Sequence, residues 1–128
     1  MTKEQFNILF VEDDDLFAEM CSDYFGSNPL LSFQRVTSGE EAIREVTSET
    51  NLVVLDYQLS ASNMLVMNGL QTLNALKKKF PDLPVIVLSA TKNEAIVKYL
   101  EEAGAGAFVE KFEGAFDEVN DHIENMRN

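Results

Sequence analysis

Five short apolar runs, rich in Val, Ile and Leu, recur along this chain with room for a helix between each pair, and each run ends in polar residues. Phe6-Asn7-Ile8-Leu9-Phe10-Val11 ends in Glu12-Asp13-Asp14, and Leu52-Val53-Val54-Leu55 ends in Asp56. Val85-Ile86-Val87-Leu88 ends in Ser89, and Ala107-Phe108-Val109 ends in Glu110-Lys111. Strands that alternate with helices form a parallel sheet, because right-handed crossovers return each strand in the same direction. Their ends then share one edge, where open α/β folds place their ligands. Acids, a hydroxyl and an amine scattered through the chain thereby become one candidate site.

The spacing predicts a strand over about Asn7 to Val11, then a helix from about Asp14 to Phe25 with Leu16, Phe17, Met20 and Tyr24 on one face. Gly26-Ser27-Asn28-Pro29 stops that helix, and a second strand runs from Leu31 to Val36. Ser38, with Glu41 three residues on, has capping-box spacing for a helix that turns Ala42, Ile43 and Val46 inward. The third strand, Leu52 to Leu55, is apolar throughout, as a strand buried on both faces must be. After a long loop from Tyr57 to Asn68, a third helix turns Leu70, Leu73, Leu76 and Phe80 inward and ends in a solvated Lys77-Lys78-Lys79. The fourth strand, Val85 to Leu88, leads to a helix from about Asn93 to Ala103 that buries Ile96, Tyr99 and Leu100, with Gly104 as its cap. The last helix follows the fifth strand and carries Phe116, Val119, Ile123 and Met126 on one face and His122 on its polar side.

Composition narrows the function. With 128 residues the chain suits one domain, and its formal net charge of −12 argues against nucleic acid or an anionic membrane as a direct partner. A single cysteine, Cys21, makes no internal disulfide and reads as a packed or partly exposed thiol. With no visible signal peptide and no run long enough to span a bilayer, a cytoplasmic location is expected.

At the sheet edge, Asp13 and Asp56 would meet with Glu12 beside them, and three carboxylates that close need a compensating charge. A hard divalent cation, Mg²⁺ or Mn²⁺, suits an oxygen-only donor set, and the backbone carbonyl of Gln58 is placed to add a ligand. Asp56 could then act as nucleophile toward a phosphoryl group, with Lys111 as a second positive contact and the Ser89 hydroxyl binding a phosphoryl oxygen. Taken singly, each residue has a plainer reading: a helix N-terminus for Glu12-Asp13-Asp14, a turn cap for Asp56, a helix cap for Ser89, a surface lysine for Lys111. It is the four strand ends together that favour a site.

These segments resemble the receiver domain of two-component response regulators, over essentially the whole chain: Ile8 to Asp14, Val53 to Asp56, Val85 to Ala90, and Ala103 to Lys111. The resemblance implies a doubly wound five-stranded parallel sheet of flavodoxin-like topology, strand order 2-1-3-4-5, with helices on both faces and one domain over 1–128. It implies that Asp56 is the phosphoacceptor and that a sensor histidine kinase or histidine phosphotransfer protein is the donor. Asp13 would bind the metal directly and Glu12 through water, with Ser89 and Phe108 as switch residues. Phosphorylation would alter the face of the fourth helix, fifth strand and fifth helix, which an unknown downstream protein target reads. Gln58 and Thr91 match positions that tune the lifetime of the phosphoryl group. The chain ends soon after the last helix, so a stand-alone switch similar to the chemotaxis regulators is expected, monomeric or transiently dimeric. It would be no enzyme beyond its own phosphorylation and dephosphorylation.

Three departures stand out. Phe112 follows Lys111 where the family commonly has proline. The stretch from Asp56 to Gly69 is longer than usual, with Ser60 at a common proline position and a partly apolar addition from Ser62 to Met67. Phe108 lacks the hydroxyl of the commoner tyrosine. The first two keep open an alternative, a receiver-like interaction module that is not switched by phosphorylation. Enzyme readings fare worse: a haloacid-dehalogenase-type phosphatase needs an aspartate where Gln58 stands, and a flavodoxin needs a phosphate loop where this chain has three acids.

Overall fold

The computed structural model describes residues 5–59, 67–90 and 93–128. Its elements alternate as β1 (Phe6–Val11), α1 (Asp15–Gly26), β2 (Leu31–Val36), α2 (Gly39–Glu45), β3 (Leu52–Asp56), α3 (Gly69–Lys79), β4 (Val85–Ser89), α4 (Glu94–Glu102), β5 (Ala107–Glu110) and α5 (Ala115–Arg127). The five strands form one parallel sheet in the order β2-β1-β3-β4-β5, the doubly wound arrangement expected. β3 and β4 are buried at every position, as their uninterrupted apolar sequence requires.

Alternation along the strands divides the core into two layers. Leu9, Val11, Val53, Leu55, Val85 and Val87 face α2, α3 and α4, where they meet Ala42, Leu73, Leu76 and Leu100. Ile8, Phe10, Leu52, Val54, Ile86 and Leu88 face α1 and α5, where they meet Ala18, Cys21, Phe25, Val119 and Ile123. Burial of these branched side chains on both faces is the main stabilising term, at about 1.5–3 kcal/mol for each fully buried one.

Side-chain caps fix where the helices begin. Asp14 accepts the N–H groups of Leu16 and Phe17, so the third acid of the triplet caps α1 and leaves Glu12 and Asp13 for the sheet edge. Ser38 caps α2 through the Glu41 N–H, but the Glu41 carboxylate accepts the Thr37 hydroxyl. The full reciprocal box belongs to α3, between Asn68 and Gln71. Gly104, at φ +109°, closes α4 in the left-handed conformation that favours glycine.

The apolar helix faces are not all buried, and the expected burial of Tyr99 does not hold. Leu16, Met20 and Tyr24 share a face of α1, but it is exposed; Ala18, Cys21 and Phe25 face the sheet, and Phe17 is half-buried. Small Ala18 and Cys21 let α1 lie close to the sheet, which turns the bulkier stripe outward. Tyr99 is 57% exposed and Ile96 half-buried, because nine-residue α4 covers the sheet's edge beside four-residue β5 and only Leu100 reaches the core. Met126 is exposed because α5, about 20 Å long, outruns β5, about 13 Å long. His122 is half-buried. Lys77 and Lys79 are not simply solvated: their ammonium groups donate to the carbonyls of Leu83 and Ile43, the latter at the open end of α2.

Candidate functional site

Four strand ends converge as the sequence predicts. Glu12 extends β1 by donating its N–H to the Val36 carbonyl at 3.0 Å, and its own carbonyl accepts Arg35 Nε at 2.8 Å. Arg35 also pairs with Asp15 at 2.9 Å, so one guanidinium ties the start of α1 to the acidic loop. Asp56 ends β3 and is buried; its Oδ1 accepts the Gln58 N–H at 3.0 Å, which closes the turn behind it. Lys111 is aligned from β5 by its N–H, which donates to the Ser89 carbonyl at 2.7 Å.

Lys111 Nζ lies 2.5 Å from Glu12 Oε1 and 3.2 Å from Asp56 Oδ1. The same ammonium stands 4.3 Å from the centre of the Phe17 ring. Burial alone would lower the Lys111 pKa, but the contacts with Glu12 and Asp56 outweigh it and hold the amine above its ordinary value. Glu12 is fully buried. Burial first, and then the hydrogen bond with Asp56, push its carboxyl up to about 8 against the pull of Lys111.

Glu12, Asp13 and Asp56 each present an oxygen, and these atoms lie within 4.8 Å of one another. Three acids against one ammonium leave room for a further cation in a mostly buried space, and its binding would displace the proton that the raised pKa keeps on Glu12. The donors are all hard oxygens, so the residues fit a hard divalent cation. No softer ligand stands among them.

Gln58 is placed beside Asp56, but its visible work is done by the side chain. Nε2 donates to Ser89 Oγ at 2.8 Å and Oε1 accepts the Ala90 N–H at 2.9 Å, so the carboxamide clips the end of β4 to the turn after β3. Ser89 is buried. Phe108 is half-buried in the core layer beneath α4, in register with Val87, and is not part of the carboxylate cluster. The glutamine clip, the Arg35 anchor and the Phe17 ring were not found from sequence.

Of the departures, Phe112 is 58% exposed, and no peptide bond among the described residues is cis. Met67 donates its N–H to the Glu40 carboxylate, which ties the end of the long loop to α2. Ser60, the added residues 62–66 and Thr91 lie outside the described residues.

Comparison with known proteins agrees with this fold. The profile of the response regulator receiver domain matches residues 8–124. A cyclic di-GMP phosphodiesterase of Thermotoga maritima is 32% identical over 106 residues, covering 81% of this chain and 26% of that protein. The response regulator SaeR of Staphylococcus aureus is 28% identical over 105 residues, covering 82% of this chain and 43% of that one. The solved receiver domain of NtrX from Brucella abortus superposes with a TM-score of 0.79 at 25% identity, covering 93% of this chain and 96% of that one. The doubly wound fold with an acidic strand-end cluster is that of a signalling receiver. The chain belongs to the response regulator receiver domain family, whose members are phosphorylatable switches of two-component systems. It spans less than half the length of the two curated relatives named here.

Proposed function

We propose that Asp56 accepts a phosphoryl group from a phosphohistidine on a sensor histidine kinase or histidine phosphotransfer protein. The observation that supports this most directly is the Lys111 ammonium set against both Glu12 and Asp56 at one sheet edge. An Asp56 carboxylate oxygen attacks phosphorus, the new P–O bond forms as the bond to the donor nitrogen breaks, and the imidazole leaves with the electron pair. Lys111 supplies positive charge where the equatorial oxygens gather negative charge. Asp13 and Asp56 directly, Glu12 through water and the Gln58 carbonyl would hold Mg²⁺ or Mn²⁺, which when bound neutralises charge on the transferring group.

Ser89 binds a phosphoryl oxygen once its hydroxyl leaves the Gln58 carboxamide, and Phe108 repacks in response. The face of α4, β5 and α5, where Tyr99 is exposed, then differs between the two states, and a downstream protein reads it. Residues 1–128 act as one receiver domain, in the cytoplasm, monomeric or transiently dimeric, with no direct nucleic-acid or membrane contact. The only reaction catalysed is the domain's own phosphorylation and dephosphorylation.

Intact-protein mass after incubation with acetyl phosphate and Mg²⁺ tests the proposal. One added phosphoryl group is expected, absent with EDTA and absent in Asp56→Asn. No addition, or addition that survives Asp56→Asn, would reject it.

A further inference from the structure

Lys111 has somewhere else to go. It lines a groove of about 400 Å³ together with Phe17, Met20, Tyr24, Phe112 and Phe116. Its stem is flexible, and the segment it opens ends at Gly114, whose φ is +96°. In the present arrangement Glu12 and Asp56 hold the ammonium. That hold weakens when a divalent cation takes up the charge of the same carboxylates.

We propose that Phe17 is a positioning residue that keeps the Lys111 ammonium at the phosphoacceptor through a cation–π contact; this rests on the role given to Lys111 under the proposed function. The ammonium is 4.3 Å from the ring centre, well inside the range of such a contact. The ring is uncharged, so its attraction does not fall when the carboxylates are engaged. Phe17 is itself fixed. Its N–H is bonded to the Asp14 cap at 3.3 Å, and its ring packs 5.2 Å from Phe116 and 6.2 Å from Phe10, centre to centre. The turn of helix that follows the acidic loop therefore carries both the cap and the ring that faces the amine. An aliphatic residue at 17 would fill the space without offering a negative aromatic face.

The test compares wild type with Phe17→Leu, Phe17→Met and Phe17→Tyr, with thermal unfolding of each to confirm folding. One readout is the chemical shift of the Lys111 ε-methylene protons, which an aromatic face moves upfield. The other is the single-turnover rate of phosphorylation by acetyl phosphate with Mg²⁺. The upfield shift should vanish in Phe17→Leu and Phe17→Met and persist in Phe17→Tyr. The rate should fall roughly two- to thirty-fold in the first two and return toward wild type in the third. Identical Lys111 shifts in wild type and Phe17→Leu would overturn the proposal, as would a slowed Phe17→Leu that Phe17→Tyr does not restore. If wild type takes no phosphoryl group, the proposed function fails, while the shift comparison still decides the Phe17 contact.

Discussion

Lys111 donates from Nζ to Glu12 Oε1 at 2.5 Å although 99 residues separate the two in the chain. This pair makes Lys111 a rival of any cation for the buried carboxylates and also a source of charge for the transferring phosphoryl group. Lys111→Met should therefore move two measurements in opposite directions. Mg²⁺ should bind more tightly by calorimetry, because the competing ammonium is gone. Phosphorylation by acetyl phosphate should slow on the order of 10²-fold, the usual cost of losing one preorganised charge-stabilising donor. A parallel loss of both would mean that the substitution simply disrupts the site.

The Glu12 carboxyl is held up at about 8, from an ordinary 4.5, by burial first and by Asp56 second. A folded-state pKa above the unfolded value gives stability that is full below the unfolded pKa and is lost as pH rises through the folded one. The metal-free protein should accordingly lose stability between about pH 4.5 and pH 8, and Glu12→Gln should flatten that slope in denaturant titrations at stepped pH. Mg²⁺ affinity should run the other way, strengthening toward pH 8 as the Glu12 proton leaves. Calorimetry in buffers of different ionisation enthalpy would register the released proton.

Gln58→Ala removes both bonds of the clip, to Ser89 Oγ and from the Ala90 N–H. Gln58 is exposed, so water replaces part of what is lost, and a cost of about 0.5–1.5 kcal/mol is expected from chemical denaturation. Amide hydrogen exchange should rise at Ala90, whose N–H loses its acceptor. Unchanged protection there would show that the clip does not persist in solution.

Gly69 stands where α3 begins against the turn behind Asp56. A Cβ added there would lie 2.4 Å from the Tyr57 carbonyl oxygen and 2.8 Å from its Cα, so backbone must move. Gly69→Ala should cost about 1–3 kcal/mol of stability and shift the Asp56–Gln58 turn. Gly26→Ala, where nothing lies within 4 Å of the added atom, is the control and should be neutral or slightly stabilising. Denaturant midpoints of the two variants give the comparison.

The strands were legible because each is an apolar run bounded by turn residues, and the acids and amine were legible because strand ends place them. Which face of α1 turns inward was not legible, because apolar residues fall on two of its sides. Periodicity cannot tell that small Ala18 and Cys21 approach the sheet while Leu16, Met20 and Tyr24 stay outside. The contacts of Arg35 with the Glu12 carbonyl, Gln58 with Ser89 and Phe17 with Lys111 depend on strand register and rotamers across elements far apart in the chain. Spacing within one element carries no trace of them.

The central claim is that Asp56, and no other group, becomes the acyl phosphate. Treatment with acetyl phosphate and Mg²⁺, followed by borohydride reduction and peptide mass mapping, addresses it directly, because reduction converts a phosphorylated aspartate to homoserine. The predicted result is conversion at Asp56 alone, abolished by EDTA. Conversion at Asp13, or a phosphoryl group on Ser89 that resists mild base, would contradict the account.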